Sequence, residues 1–465
     1  MNDSNRFGLI VVGSGPGGYV AAIRASQLGI KTAIVEKERL GGVCLNWGCI
    51  PSKALLHSAS LYEQITGAGK YGITAGEPGY DWQKVIKHSR QSSDRTMRGV
   101  KFLMKKNAIE VFEGHGVLQG DGRVYVQGEK EATLAADNIL LALGAHPRSV
   151  PGVVPDGGKV ITSREALVLQ HRPASVVIVG GGAIGMEFAY LLSAFGTDVT
   201  VVELLDQILP HEDTEVAAEL SKIYKKRGVR LLTSTAVELV DTSGEGVSVT
   251  VRDKETDSTE TISAEKALLS VGVTGNIDGA GLTEAGVETV RGFIKVDGSF
   301  RTSAPNIWAI GDCTGGVLLA HAASHEGLAA VEAIAGREAK TVADEQIPSC
   351  VYCKPQVASV GITEREAQKR GLEYSVGRFP FRPLGKAVAS GAQEGFVKVI
   401  AAKDGKLLGI HILGDEATEM IPEASLAAWL NLDVGSLASA VHPHPTLSEA
   451  LAEAALDSLG QALHL

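Results

Sequence analysis

The chain has 465 residues, 44% of them hydrophobic and 21% charged, which is about three domains' worth with ample material for buried cores. Acidic residues outnumber basic ones 54 to 44, and the net charge of −10 weighs against nucleic acid or an anionic membrane as a partner. The N-terminus lacks a signal peptide's apolar run or an Arg-rich transit helix, no stretch of about 18 apolar residues occurs, and five cysteines are too few for a disulfide scaffold, so a cytoplasmic globular protein is expected.

Phe7 to Val12 is a short apolar run that predicts a buried parallel strand, and it feeds Gly13, Gly15 and Gly18 ahead of a helical pattern from Tyr19 to Leu28. A second strand, Lys31 to Val35, ends at Glu36. In this context the glycines permit a tight turn and close approach to a pyrophosphate, the helix N-terminus offers an anion site, and the Glu36 carboxylate can accept hydrogen bonds from ribose hydroxyls.

Cys44 and Cys49 follow, five positions apart, in the stretch GGVCLNWGCIPSK from Gly41 to Lys53. On a regular helix their Cα atoms would lie roughly 8 to 9 Å apart, beyond the ~7 Å limit of an undistorted disulfide. If they bond, the backbone must bend, and Gly48 and Pro51 permit or force a bend. A strained, accessible disulfide suits catalysis more than stapling.

Polar helical segments are expected over Tyr80 to Lys106, then short strands over Ile109 to Val126, punctuated by Gly114, Gly116, Gly120 and Gly122. The dinucleotide unit then recurs: Val176 to Val179, Gly180, Gly182 and Gly185, a helix from Met186 to Phe195, a strand from Asp198 to Val202, and Glu203. Gly13, Gly15, Gly18, Gly29 and Glu36 each stand 167 positions before Gly180, Gly182, Gly185, Gly196 and Glu203, so one chain is expected to bind two dinucleotides. No Arg or Lys lies between Glu203 and Lys222, and a carboxylate there accepts from a 2′-hydroxyl and repels a 2′-phosphate, which favours NAD over NADP.

Arg301 to Ile310 reads as a strand running into Gly311 and Asp312, and a helix opens near Leu319 to Gly327. From Ile347 the pattern becomes alternating, at Val357 to Val360, Phe396 to Ile400 and Leu407 to Leu413, which predicts an antiparallel sheet with helices. His442, His444, Thr446 and Glu449 precede a final Ala/Leu helical pattern. Thr446 and Glu449 fit a capping box, while a neutral imidazole is the natural acceptor for a thiol proton near neutral pH. Cys350 and Cys353 form a lone CxxC without the second pair or nearby His that a zinc site needs, so no metal is expected.

The GGVCLNWGCIPSK stretch resembles the redox segment of the flavin disulfide reductases, the class I pyridine nucleotide-disulfide oxidoreductases, and its WGCIPSK ending looks most like the dihydrolipoyl dehydrogenases. The resemblance covers nearly the whole chain. It implies FAD in the first dinucleotide unit, NAD in the second, and a redox disulfide between Cys44 and Cys49. His444 matches the family's base and Glu449 its orienting carboxylate, and Lys53 and Glu187 match a charged pair beside the flavin. Cofactor contact is further implied at Gly116, Gly144, Asp312, Ala320 and Gly272. Leu143 stands where the family usually has Thr, and the Ser270 to Asn276 stretch lacks the family's usual Arg.

The fold class expected is α/β: two Rossmann-like dinucleotide-binding domains plus a C-terminal α+β dimerisation domain. The FAD-binding domain would span 1–149, the NAD-binding domain 150–276, a central segment completing the FAD site 277–346, and the dimer interface domain 347–465. The implied activity is oxidation of protein-bound dihydrolipoamide by NAD in a homodimer, the dihydrolipoyl group arriving on a carrier domain from another chain. A glutathione-type or other NAD(P)H-dependent disulfide reductase is the alternative, disfavoured by Glu203 and by the lack of a cysteine pair near Leu465.

Overall fold

The structure, a computed structural model, describes residues 5–150 and 152–465. The described residues form two compact units: the first gathers 5–55, 83–148 and 272–342, the second 56–82, 149–150, 152–271 and 343–465.

In the first unit the strand Arg6–Val12 is buried along most of its length and pairs in parallel with Thr32–Glu36 on one side and with Ala132–Leu141 on the other. Glu110–Glu113 extends the sheet beyond Thr32–Glu36, and Ile307–Ala309 joins Ala132–Leu141 in parallel. His115–Gly120 and Arg123–Gln127 complete it as an antiparallel hairpin. Parallel neighbours require a crossover helix, which Pro16–Gln27 supplies. Its proline occupies the first turn, where no amide is needed, and its small buried residues admit the helix Ala320–Ile334 at backbone contact. A Cβ on Gly17 would stand 2.8 Å from the Ala323 carbonyl, and one on Gly327 2.7 Å from that of Gly17.

In the second unit five parallel strands run in the order Arg230–Leu232, Asp198–Val202, Ser175–Val179, Lys266–Leu269, Val160–Thr162, with the helix Ala183–Ala194 crossing over between two of them. The sequence repeat extends to strand register: Leu9 faces Thr32 and Val12 faces Val35, while Val176 faces Val199 and Val179 faces Val202. The segment 56–82 belongs here because its aromatics grip the end of that crossover helix. Tyr62 stacks on Phe195, Tyr80 and Trp82 meet the same ring edge to face, and the Tyr80 hydroxyl donates to the Phe195 carbonyl at 3.0 Å.

Residues 349–414 form the antiparallel sheet expected from the alternating pattern, with Gln356–Gly361, Leu407–Gly414 and Phe396–Ala402 adjacent. Two strands escaped the sequence reading, Ser349–Val351 and Tyr374–Pro380, both at its edges. The expected strand from Arg301 shrinks to Ile307–Ala309, because Asn306 takes a left-handed conformation with φ 60° and turns the chain.

A lysine lies inside this unit. Lys398 is 1% exposed and its Nζ donates to Asp213 at 2.9 Å, to Glu364 at 2.6 Å and to Glu215 at 3.2 Å. Burial alone would raise Asp213, but His411 and Lys398 outweigh it and hold its carboxyl below the usual range; Glu364 is likewise lowered. Burial alone would lower Lys398, but Glu364 and Asp213 raise it. The carboxylates therefore contribute stability above about pH 4 that is lost as pH falls through their depressed pKa values, and Lys398 contributes stability lost only as pH rises past its raised one. Removing the cation strands buried anions, so Lys398→Met is expected to cost on the order of 3 kcal/mol and lower the melting temperature by roughly 6 °C or more in a thermal scan at pH 7.

Candidate active site

The two glycine turns repeat each other in backbone geometry. Gly13 and Gly180 have φ 101° and 104°, and their amides donate to Val35 and Val202 at 2.8 Å each. A Cβ on Gly18 would stand 2.0 Å from the Gly13 carbonyl, and one on Gly185 2.0 Å from that of Gly180, so these glycines are demanded by the protein's own backbone. Gly15 and Gly182 differ: a Cβ there would meet no protein atom within 4 Å. They cap the helices Pro16–Gln27 and Ala183–Ala194, where unpaired amides and the helix dipole favour a phosphate.

The acidic residues closing each unit are also turn-holders, a role that their spacing alone did not suggest. Glu36 accepts from the Ser14 amide at 2.9 Å, the Ser14 hydroxyl at 2.5 Å and the Glu38 amide at 2.9 Å. Glu203 accepts from the Gly181 amide at 2.7 Å and the Leu205 amide at 2.9 Å. Each carboxylate is thus fixed at the mouth of its turn with acceptor capacity left for a ribose hydroxyl.

In the first unit one cleft is lined by Gly13, Gly15, Gly18, Glu36, Cys44, Cys49, Gly116, Gly144, Asp312 and Ala320, so ten of the candidate residues come together there. Asp312 follows the strand Ile307–Ala309, and burial pushes its carboxyl above the usual range with no donor lowering it. A desolvated acceptor facing a cleft fits a ligand bearing hydroxyls. Ala320 opens the helix Ala320–Ile334. Gly144, with φ 69°, is clamped by Asn276, a residue the sequence reading passed over. The Asn276 amide donates to the Gly144 carbonyl at 3.0 Å, its side chain donates to the Leu143 carbonyl at 2.9 Å, and its Oδ1 meets His146 Nδ1 at 2.8 Å. Leu143 therefore enters the turn through its main chain. Gly272, with φ 91°, accepts from the Arg148 amide at 3.0 Å and stands outside the residues lining this cleft, as does Lys53.

The bend between the cysteines falls at Gly48, whose φ −149° and ψ −113° separate the helix Gly42–Trp47 from Cys49–Thr66. The break brings the two sulfurs into hydrogen-bond contact as thiols. Cys44 is raised well above the usual thiol range, first by its hydrogen bond to Cys49, then by burial and by the negative charge of Cys49, while Lys53 and the Cys49 amide pull it down.

In the second unit Glu187, on the helix Ala183–Ala194, is buried and accepts from the Tyr352 amide at 3.1 Å. His444 is 76% exposed at its side chain, and its Nδ1 meets Glu449 Oε1 at 2.8 Å. The other oxygen of Glu449 accepts from the Thr446 amide at 2.8 Å, which is half of a capping box, while the Thr446 hydroxyl donates instead to Pro443. Burial would raise Glu449, but the Thr446 amide and His444 lower it below the usual range. A carboxylate only accepts, so Nδ1 carries the hydrogen and Nε2 keeps its lone pair for a substrate proton. Among the described residues no cluster of three His, Cys, Asp or Glu could hold a metal ion, and no helix is long and apolar enough to cross a membrane.

Residues 7–327 match the pyridine nucleotide-disulphide oxidoreductase family, and residues 347–455 match its dimerisation domain. The chain is 47% identical to a dihydrolipoyl dehydrogenase of Chlorobaculum tepidum over 98% of this chain and 97% of that one. It is 43% identical to the dihydrolipoyl dehydrogenase of Bacillus subtilis, covering 99% of this chain and all of the relative. In three dimensions it is similar to LpdA from Mycobacterium tuberculosis, with a TM-score of 0.89 at 28% identity over 97% of this chain and 99% of that one. It also shares its fold with the HOCl-induced flavoprotein disulfide reductase RclA from Escherichia coli, at a TM-score of 0.86, 24% identity, and coverage of 97% and 99%. The chain belongs to the pyridine nucleotide-disulphide oxidoreductases and, among them, to the dihydrolipoyl dehydrogenase family.

Proposed function

We propose that this flavoprotein oxidises protein-bound dihydrolipoamide to lipoamide and reduces NAD, with FAD in the cleft of the first unit and NAD on the glycine turn of the second. The observation that carries this reading is the meeting of a dithiol with a dinucleotide turn in one cleft, where Cys44 and Cys49 share walls with Gly15 and Asp312. Gly13, Gly15, Gly18, Glu36, Gly116, Gly144, Asp312 and Ala320 would hold FAD, and Lys53 would place a cation near the dithiol. Gly180, Gly182, Gly185 and Glu203 would serve NAD, Glu187 would belong to the charged surroundings of the flavin, and Gly272 would be a further cofactor contact.

The residues divide the work as follows. His444 Nε2 takes a proton from one substrate thiol, and Glu449 steadies the resulting imidazolium. The substrate thiolate attacks Cys44 of the oxidised pair, the bond between the two cysteines breaks, and Cys49 departs as a thiolate. The second substrate sulfur then attacks its own partner sulfur, closing lipoamide and releasing Cys44, which takes up the proton that second thiol gives up, so that Cys44 ends as a thiol and Cys49 as a thiolate balanced by the His444 imidazolium. When bound in the cleft by the residues named above, FAD would supply the redox chemistry that links the reduced cysteines to the nicotinamide. An anaerobic titration with dihydrolipoamide, followed by visible absorption, tests the whole: a long-wavelength band should grow in, and an unchanged spectrum sinks the reading.

Cofactor choice follows from Glu203. Its carboxylate faces the turn without a compensating Lys or Arg before Lys222, so catalytic efficiency should favour NAD over NADP by at least ~100-fold, about 3 kcal/mol. Equal efficiencies for the two cofactors would contradict this assignment.

The cysteines have separate tasks. Cys44→Ser should abolish lipoamide turnover yet leave a Cys49 thiolate that gives the long-wavelength band without reductant. Appearance of that band in Cys49→Ser instead would reverse the order.

The site is completed by a second copy of the chain. The exposed His444 base sits in a region whose apolar surface is uncovered, with Val441 98% exposed and Leu426, Trp429 and Leu430 also exposed, as a dimerisation face requires. Twofold pairing would bring His444 of one subunit to the cysteines of the other, twice per dimer. Mixing inactive Cys44→Ser and His444→Gln chains should restore up to half of a wild-type dimer's activity. Hybrids that copurify through different tags and stay inactive would refute the shared site.

A further inference from the structure

The long helix Trp82–Lys106 packs side chains against the main chain of the cysteine segment at three points, all within the first unit. The Ser93 hydroxyl donates to the Leu45 carbonyl at 2.6 Å, Arg90 Nη1 to the Asn46 carbonyl at 2.6 Å, and the Ser89 hydroxyl to the Pro51 carbonyl at 2.9 Å. Arg90 also lies over the Trp47 ring, 4.5 Å from its centroid, and reaches the Ser93 hydroxyl at 3.4 Å. Ser89 and Ser93 are fully buried. The contacts follow Cys44 by one and two residues and Cys49 by two, so they bracket the bend at Gly48.

The location has a physical logic. Breaking a helix leaves its last carbonyls without their usual amide partners, and Leu45 and Asn46 are in the last turn of Gly42–Trp47. Donors on a neighbouring helix compensate the break and favour the bent form over a continuous helix, in which the two cysteines would stand roughly 8 to 9 Å apart. Arginine suits the middle position because one planar group both stacks on an indole and donates along its edge; a lysine ammonium cannot do both.

We propose that Ser89, Arg90 and Ser93 are positioning residues for the dithiol: they hold the bend at Gly48 and thereby raise the effective concentration of Cys44 at Cys49, which sets the redox poise of the pair. This rests on the reading of Cys44 and Cys49 as the redox couple. Loosening the clamp disfavours the closed disulfide, since forming it then requires the segment to be ordered again.

The test equilibrates the flavin-loaded enzyme anaerobically with mixtures of reduced and oxidised dithiothreitol, quenches with acid, labels thiols with a maleimide and counts them by mass. Arg90→Met should shift the equilibrium at least tenfold toward the dithiol, about 30 mV for this two-electron couple. Ser93→Ala should move it the same way by a smaller factor and serves if Arg90→Met does not fold. Arg90→Lys should not restore the wild-type value. Oxidation of NADH by a quinone, which bypasses the cysteines, should persist in the folded variants, where general damage would abolish it. The proposal is overturned if folded variants stay within twofold of wild type, or if Arg90→Lys restores the poise, since charge alone would then suffice. A wild-type enzyme that forms no disulfide between Cys44 and Cys49 at any mixture would instead bring down the reading of the redox pair, and the clamp with it.

Discussion

Two residues five apart cannot touch on an α-helix, and the first unit is arranged around the break that lets Cys44 and Cys49 do so. Gly48 provides the bend, and the Cys49 amide is thereby turned toward the Cys44 sulfur, where its hydrogen bond favours the thiolate. The bend frees carbonyls at the end of Gly42–Trp47, and a separate helix satisfies them with Arg90 and Ser93, while Ser89 reaches the Pro51 carbonyl just beyond the bend. Gly42 ties the same segment to the dinucleotide turn, since a Cβ there would stand 2.7 Å from the Gly15 Cα. The closeness of dithiol and glycine turn is therefore built into the backbone, and both open on one cleft.

The two dinucleotide units show which parts of a repeated motif obey the fold and which obey the ligand. The first and third glycines are pressed against carbonyls in both copies, so their identity is enforced whether or not anything binds. The second glycine faces open space in both, and only an incoming molecule gives a side chain there something to strike. The closing glutamate belongs to both classes. It ties the turn through amide hydrogen bonds and keeps lone pairs spare, so a substitution at Glu36 or Glu203 would disturb the turn as well as any ligand hydroxyl held there.

Legibility in the sequence followed the locality of the physics. Strand Arg6–Val12, its partner Thr32–Glu36, both glycine turns and the three inner strands of the antiparallel sheet were readable because apolar periodicity and glycine spacing act over a few residues. The five-residue cysteine spacing even called for a bend if the pair is to bond and offered Gly48 and Pro51 for it, and the structure breaks the helix at Gly48. Contacts made across long separations left no such mark. Asn276 clamping Leu143 and Gly144, Arg90 on Trp47, and Lys398 among Asp213, Glu215 and Glu364 each need a polar residue whose partner is remote in the chain, and a lone Asn, Arg or Lys looks like surface until the fold joins them. The segment 56–82 joined the second unit for the same reason, through Tyr62, Tyr80 and Trp82 on Phe195.

His444 and Glu449 show why two readings of one motif need not compete. The capping reading and the catalytic reading both claim the glutamate, and its two oxygens divide between them, one on the Thr446 amide and one on His444 Nδ1. Anchoring the carboxylate to the main chain at the start of Glu449–Ser458 orients it, and orienting it fixes which imidazole nitrogen holds the hydrogen. What the motif cannot supply by itself is exclusion of water, because His444 is largely exposed. A base that must pass protons between thiols without leaking them to solvent works better with a cover. The uncovered apolar residues Leu426, Trp429, Leu430 and Val441 lie on the segments leading to that histidine, so burying them against a second subunit would also enclose the base. Dimerisation and catalysis would then draw on the same buried surface, and weakening the interface would be felt in the proton transfer before it was felt in the fold of either chain.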